Sequence, residues 1–197
     1  MIDHRPPERY ESVPQRVVDG VRAAAWGGVV LPRTRISDYL AFPVVEIDTQ
    51  VWEERVAGGR GPELDRSTLG IWESWTTDMG APPPRPAVSI IGFVSTTHKP
   101  ADALNALDSL AGYGAGLWLT SGAHGPTAWT LSEFDLAEVC VVREQTGDFD
   151  VLVEGRRGPV TTARRMASLR HKEELLFGWA LTTGYSPANA GSTTPMH

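Results

Sequence analysis

The sequence predicts an α+β or α/β fold: a mixed β-sheet with one βαβ unit, antiparallel strands on its flanks, and N- and C-terminal helices as covers. Three observations carry this prediction. Two apolar runs, at 88–94 and 115–120, bracket a segment that opens on Pro100 and repeats leucine at Leu104, Leu107 and Leu110. Strand, helix and strand in so short a span make a right-handed crossover between parallel strands. The runs at 137–143 and 149–154 flank Gly147-Asp148, which is a hairpin by composition. Segments of helical period lie near both ends of the chain.

From the start, residues 1–11 are polar, contain Pro6 and Pro7, and read as a loose arm. The spacing predicts a helix over about 13–25, with Ser12 as its cap and Pro14 tolerated in the first turn. Val13, Val17, Val21 and Ala24 line one face, and Gly27 and Gly28 end it. Over 44–52, Val45, Ile47, Thr49 and Val51 alternate with Glu46, Asp48 and Gln50, the pattern of a strand with one wet side. A glycine-rich loop follows at Gly58, Gly59 and Gly61. Residues 68–77 fit either a strand or a helix face. Ile71, Trp72 and Trp75 tip the reading to a strand paired with 44–55.

The segment 81–86, Ala-Pro-Pro-Pro-Arg-Pro, favours extended polyproline II structure and marks a possible internal break. The two apolar runs and the Pro100 helix come next, followed by the hairpin and a turn at Gly155 and Gly158. A last helix is expected from Thr161 or Thr162 to about residue 182, stopped by Gly184. The domain is read as residues 1–185, and the Ser/Thr/Pro/Asn-rich tail 186–197 as disordered.

Composition narrows the partners. A chain of 197 residues can bury roughly 70% of its unfolded surface without a disulfide or a metal. The net charge of −6 argues against nucleic acid as a partner. No apolar run approaches membrane length and no apolar leader follows Met1, so the expected location is cytoplasmic, away from membranes. The basic residues are nearly all arginine, Lys99 and Lys172 being the lysines, a usage that fits a high-GC genome. The single Cys140 and the scattered histidines form no metal-ligand spacing, and no phosphate-binding glycine motif appears. The reading therefore includes no metal and no cofactor. Cys140 is expected to be an inert strand residue on a face shared with Leu136, Glu138 and Val142.

Two candidate sites remain. In a βαβ unit the C-terminal strand ends share an edge, and ligands bind there. That edge would collect Ser95, Thr96, Thr97 and His98 from the first strand, and Ser121 and His124 after the second. The bland alternative is that the hydroxyls cap a helix and His124 fills a turn. The second candidate is a basic cluster of Arg156, Arg157, Arg164, Arg165 and Arg170, followed by His171 and Lys172, for an anion or an acidic partner surface. Its alternative is a solvated helix face, with Arg170 and Glu174 as an i,i+4 pair. No GxSxG elbow or paired-carboxylate spacing signals catalysis. Lacking such a signal, the sequence points to a non-catalytic interaction or assembly protein, of the accessory, immunity or phage-structural kind. It would associate with another protein or with itself. The alternative is a small-molecule-binding domain or enzyme working at the 95–98 and 120–124 edge.

Overall fold

A computed structural model describes residues 12–122, 125–158 and 166–187. The elements in chain order are α1 (Gln15–Ala23), β1 (Val29–Val30), β2 (Thr34–Ile36), β3 (Tyr39–Ile47), α2 (Thr49–Ala57), α3 (Arg66–Glu73), β4 (Val88–Ser95), α4 (Pro100–Leu110), β5 (Ala115–Ser121), α5 (Ala128–Leu136), β6 (Cys140–Gln145), β7 (Asp148–Val153) and α6 (Ala167–Thr182). Among the described residues the strands form one seven-stranded sheet, ordered β1-β3-β4-β5-β6-β7, with β2 also on β3. The β4, β5 and β6 strands run parallel, and antiparallel strands flank them on both sides. The fold is therefore a mixed α/β sheet, as the sequence predicts.

The predicted βαβ unit is present as β4-α4-β5. Gly92 shows how tightly its parallel pair is covered. A Cβ there would come within 2.5 Å of the Ala115 carbonyl oxygen and of the Trp26 ring, so only glycine lets both approach. A second crossover, β5-α5-β6, follows on the same side of the sheet; the sequence reading did not include α5. The predicted hairpin is β6-β7, turning on Thr146 and Gly147 at φ 55° and 91°. Two central residues with positive φ give the turn whose twist matches the strands.

Three expectations need correction. The strand read over 44–52 is displaced: β3 starts at Tyr39 and ends at Ile47, and buries Ala41 to Val45 on both faces. Asp48 ends it by accepting from the Val51 N–H at 3.1 Å, which caps α2. The strand read over 68–77 is the helix α3, opened by Asp65, whose carboxylate accepts from the Thr68 N–H at 2.9 Å. The partner of β3 is β4. The N-terminal helix starts at Gln15 with Pro14 at its cap position, so Ser12 stands outside it.

Helices cover both faces of the sheet. On one side Val17 and Val21 of α1, with Ala24 just after it, pack against Leu117, Leu119, Cys140 and Val142. On the other, α4, α5 and α6 bury Leu107, Leu110, Phe134, Leu176 and Phe177 against Ile90, Phe93, Trp118 and Val141. Trp52 of α2 meets Phe177 edge-on at 4.9 Å and Tyr185 at 5.8 Å, which ties the helix pair to the end of α6. Gly184, at φ 74°, ends α6 as expected. Segment 81–86 has neither helix nor strand, and Arg170 donates to the Pro84 carbonyl at 2.8 Å. Among the described residues no helix is long and apolar enough to cross a membrane. The last helix starts later than expected: Met166 stands in extended backbone at its cap position and α6 begins at Ala167. Thr161, Thr162 and tail residues 188–197 lie outside the described residues.

Candidate functional site

The strand edge predicted as a site is staggered. The β4–β5 register pairs Ser95 with Trp118, so Ser121 lies three residues further along. At the rise of a parallel strand this is about 10 Å. Ser95 is buried, and its Oγ accepts weakly from the Thr97 N–H at 3.5 Å. Thr96 and Thr97 are half-buried, and the Thr97 carbonyl accepts from the Trp118 indole N–H at 2.9 Å. His98 and Ser121 are exposed. His124 lies outside the described residues.

The predicted arginines divide among separate tasks. Arg170 is buried and bonds inward. Its Nε reaches Glu174 at 3.1 Å, its NH1 lies 3.9 Å from Glu73, and its guanidinium sits 5.2 Å over the Trp72 ring. Arg156 donates to the Ala111 and Gly114 carbonyls at 2.8 and 2.9 Å, pinning the chain after β7 to the turn after α4. Arg157 forms an exposed i,i+3 pair with Glu154. Arg164 and Arg165 lie outside the described residues.

The Arg170 network has a second guanidinium that the sequence reading missed. Arg55 of α2 grips both carboxylate oxygens of Glu174 at 2.8 and 2.7 Å and donates to the Gly61 carbonyl at 2.6 Å. The Glu63 N–H adds a further bond to Glu174 at 3.0 Å. Burial alone would raise the Glu174 pKa, but Arg55, the Glu63 N–H and Arg170 outweigh it and hold the carboxyl below its usual value. Each Glu174 oxygen accepts two bonds, while Arg55 Nε is buried without a partner; the cluster is a structural clasp between α2, α6 and two loops.

A different feature is open to solvent. Between α4 and α5 runs a groove of about 760 Å³, floored by Leu104 and Phe134 and rimmed by Pro100, Leu136, Asp108 and Glu133. Leu136 is 88% exposed, and Trp129, two turns earlier on the same side of α5, is 74% exposed. Together α4 and α5 carry Asp102, Asp108, Glu133 and Asp135 and no lysine, arginine or histidine. The groove is thus apolar at its base and negative at its rim. No known protein family, curated protein or solved structure matches this chain.

Cys140 is buried at the start of β6. The expected strand face is corrected: Leu136 belongs to α5, and Glu138 sits in the turn before the strand at φ 55°. Burial pushes the thiol up to about 12, with Arg157 opposing and Glu154 adding to the shift. The thiolate is the reactive form. Without denaturant, a thiol reagent should therefore leave Cys140 unlabelled over the time it takes to label the unfolded chain fully. Fast stoichiometric labelling of the native protein would contradict this burial. Among the described residues no group of His, Cys, Asp and Glu is placed to hold a metal ion.

Proposed function

We propose that this protein acts by non-catalytic association with another protein, in an accessory or assembly role, and that the α4–α5 groove is its docking face. The observation that carries this reading is the pairing of exposed Leu136 and Trp129 with an apolar channel on a wholly acidic helix pair. Large exposed apolar side chains beside a concave surface are the usual anchors of an interface. The charge pattern selects the occupant: an amphipathic segment of a partner whose apolar residues enter the channel and whose lysines or arginines face Asp108 and Glu133.

The test compares wild type with a Trp129→Ala, Leu136→Asp double variant, using the native host as the source of partners. Both side chains are exposed, so the variant should melt within a few degrees of wild type. A partner should copurify with wild type and bind the variant at least about tenfold more weakly. Cross-links from the groove should map to a basic, apolar segment of that partner. Equal binding by both proteins, or cross-links to an acidic segment, would overturn the docking assignment. A variant that only loses self-association in sedimentation would replace the foreign partner with a second copy of the chain.

A further inference from the structure

The first turns of α6 carry Arg170, His171 and Lys172 before the first acidic residue, Glu173. Acidic residues stabilise the first turns of a helix and basic ones the last turns, because the N-terminal end of the helix dipole is positive. α6 begins at Ala167 and has no acidic residue in its first turn; His171 and Lys172 follow on the face that Ser168 starts. Arg66, the first residue of α3, converges on the same place. These residues line a depression of about 420 Å³, closed by Tyr113 and by the turn Ser37-Asp38. Ser37 and Asp38 hold φ 47° and 72° without being glycine, so the turn that shapes this wall is held at some conformational cost.

The cations there disfavour one another. Burial lowers the pKa of His171, and the neighbouring Arg66 and Lys172 lower it further. Burial and Arg66 also lower that of Lys172, with Asp38 opposing. Among the described residues no ion pair closes on Arg66, His171 or Lys172; Lys172 instead lies 5.7 Å over the Tyr113 ring. Two cations and His171, collected from two helices beside a positive helix end and around a cavity that also holds the Asp38 carboxylate, leave a net positive field that an anion would satisfy.

We propose that this depression binds the phosphate group of a small ligand, with Arg66, His171 and Lys172 as its charge partners and Ser168 as a neutral donor. This site is separate from the docking groove and stands without it. A bound dianion raises the His171 pKa, because an opposite charge favours the protonated ring. By linkage, the anion binds more tightly when His171 is protonated. Arg66, Lys172, Asp38 and Tyr113 are the other charged or titratable groups that face it.

The probe is inorganic phosphate, titrated at constant ionic strength against chloride, with the His171 ring followed by NMR. Saturable shifts and a raised His171 pKa are expected. Arg66→Gln and Lys172→Met should each weaken binding about tenfold while melting as wild type does. Sulfate, whose charge is constant from about pH 5.5 to about pH 8, should lose affinity as pH rises through the His171 titration. Phenyl phosphate separates the sources. Tighter binding than phosphate indicates a phosphorylated organic ligand, and equal binding indicates the free ion. A His171 response no larger than with chloride, or binding untouched by Lys172→Met in a folded protein, would overturn the proposal.

Discussion

Glu174→Ala is expected to cost about 3–5 kcal/mol, because it leaves two buried guanidiniums without their shared counter-charge. The carboxylate accepts from both arms of Arg55, from the Glu63 N–H and from Arg170 Nε, all within 3.1 Å. Neither guanidinium can reach water in place, since Arg55 and Arg170 are each 3% exposed. For a chain of this size the loss is about 6–20 °C in melting temperature. Glu174→Gln keeps two of the acceptor contacts but not the charge, and should fall between wild type and Ala. A triple replacement of Arg55, Arg170 and Glu174 by Met, Met and Leu should recover much of the loss, because desolvating the ion cluster offsets most of its attraction. Equal melting of wild type and Glu174→Ala in calorimetry would show that the clasp does not form.

The same residue sets a pH dependence. The folded-state pKa of Glu174 lies below its ordinary value of about 4.3. A lowered carboxyl contributes its full stability above the unfolded value and loses it as pH falls through the folded one. The gap between wild type and the neutral triple variant should therefore be constant near pH 7 and close below about pH 4.

The sequence made the centre of the sheet legible and left its surroundings obscure, for identifiable reasons. The runs at 88–94 and 115–120 are covered on both faces, so their apolar character survives in the sequence without a partner being known. Pro100 and the leucine spacing mark α4 for the same local reason. By contrast, α2 buries Val51, Trp52 and Arg55, and the partner that makes Arg55 a core residue is 119 positions away. No local period can reveal that pair. In α3 only Leu69 is fully covered while Ile71 faces solvent, so the β-favouring residues that suggested a strand are not on one face. In α5 the large residues Trp129 and Leu136 point outward and Phe134 inward, which erases the amphipathic stripe. The hairpin joining β2 to β3 turns on Ser37-Asp38, which lacks the glycine that signals such a turn. Both sites inherit these losses. The groove needs α5, and the cationic depression joins Arg66 to residues of α6 more than a hundred positions on.

Trp118→Ala should cost about 3–5 kcal/mol and also disable the groove. Trp118 stands on β5 with 2% of its surface exposed, and its ring stacks on Phe134 at 4.7 Å and 16°. Phe134 is the buried residue that seats α5, and it also floors the channel between α4 and α5. Removing the indole opens a void under that helix. The free energy lost is that of transferring the ring, with a further term for the cavity that the sheet cannot collapse to fill. The indole N–H makes a second contribution by holding the Thr97 carbonyl at 2.9 Å, at the mouth of the loop before α4. Trp118→Phe separates the two. It keeps an aromatic partner for Phe134 and gives up the hydrogen bond, so it should cost about 1–2 kcal/mol, with faster amide exchange in residues 97–99. Denaturant unfolding of the three proteins reads the ladder directly. If Phe is as damaging as Ala, the hydrogen bond to Thr97 outweighs the stack. If neither is damaging, α5 is seated by other contacts, and the groove does not depend on the sheet beneath it.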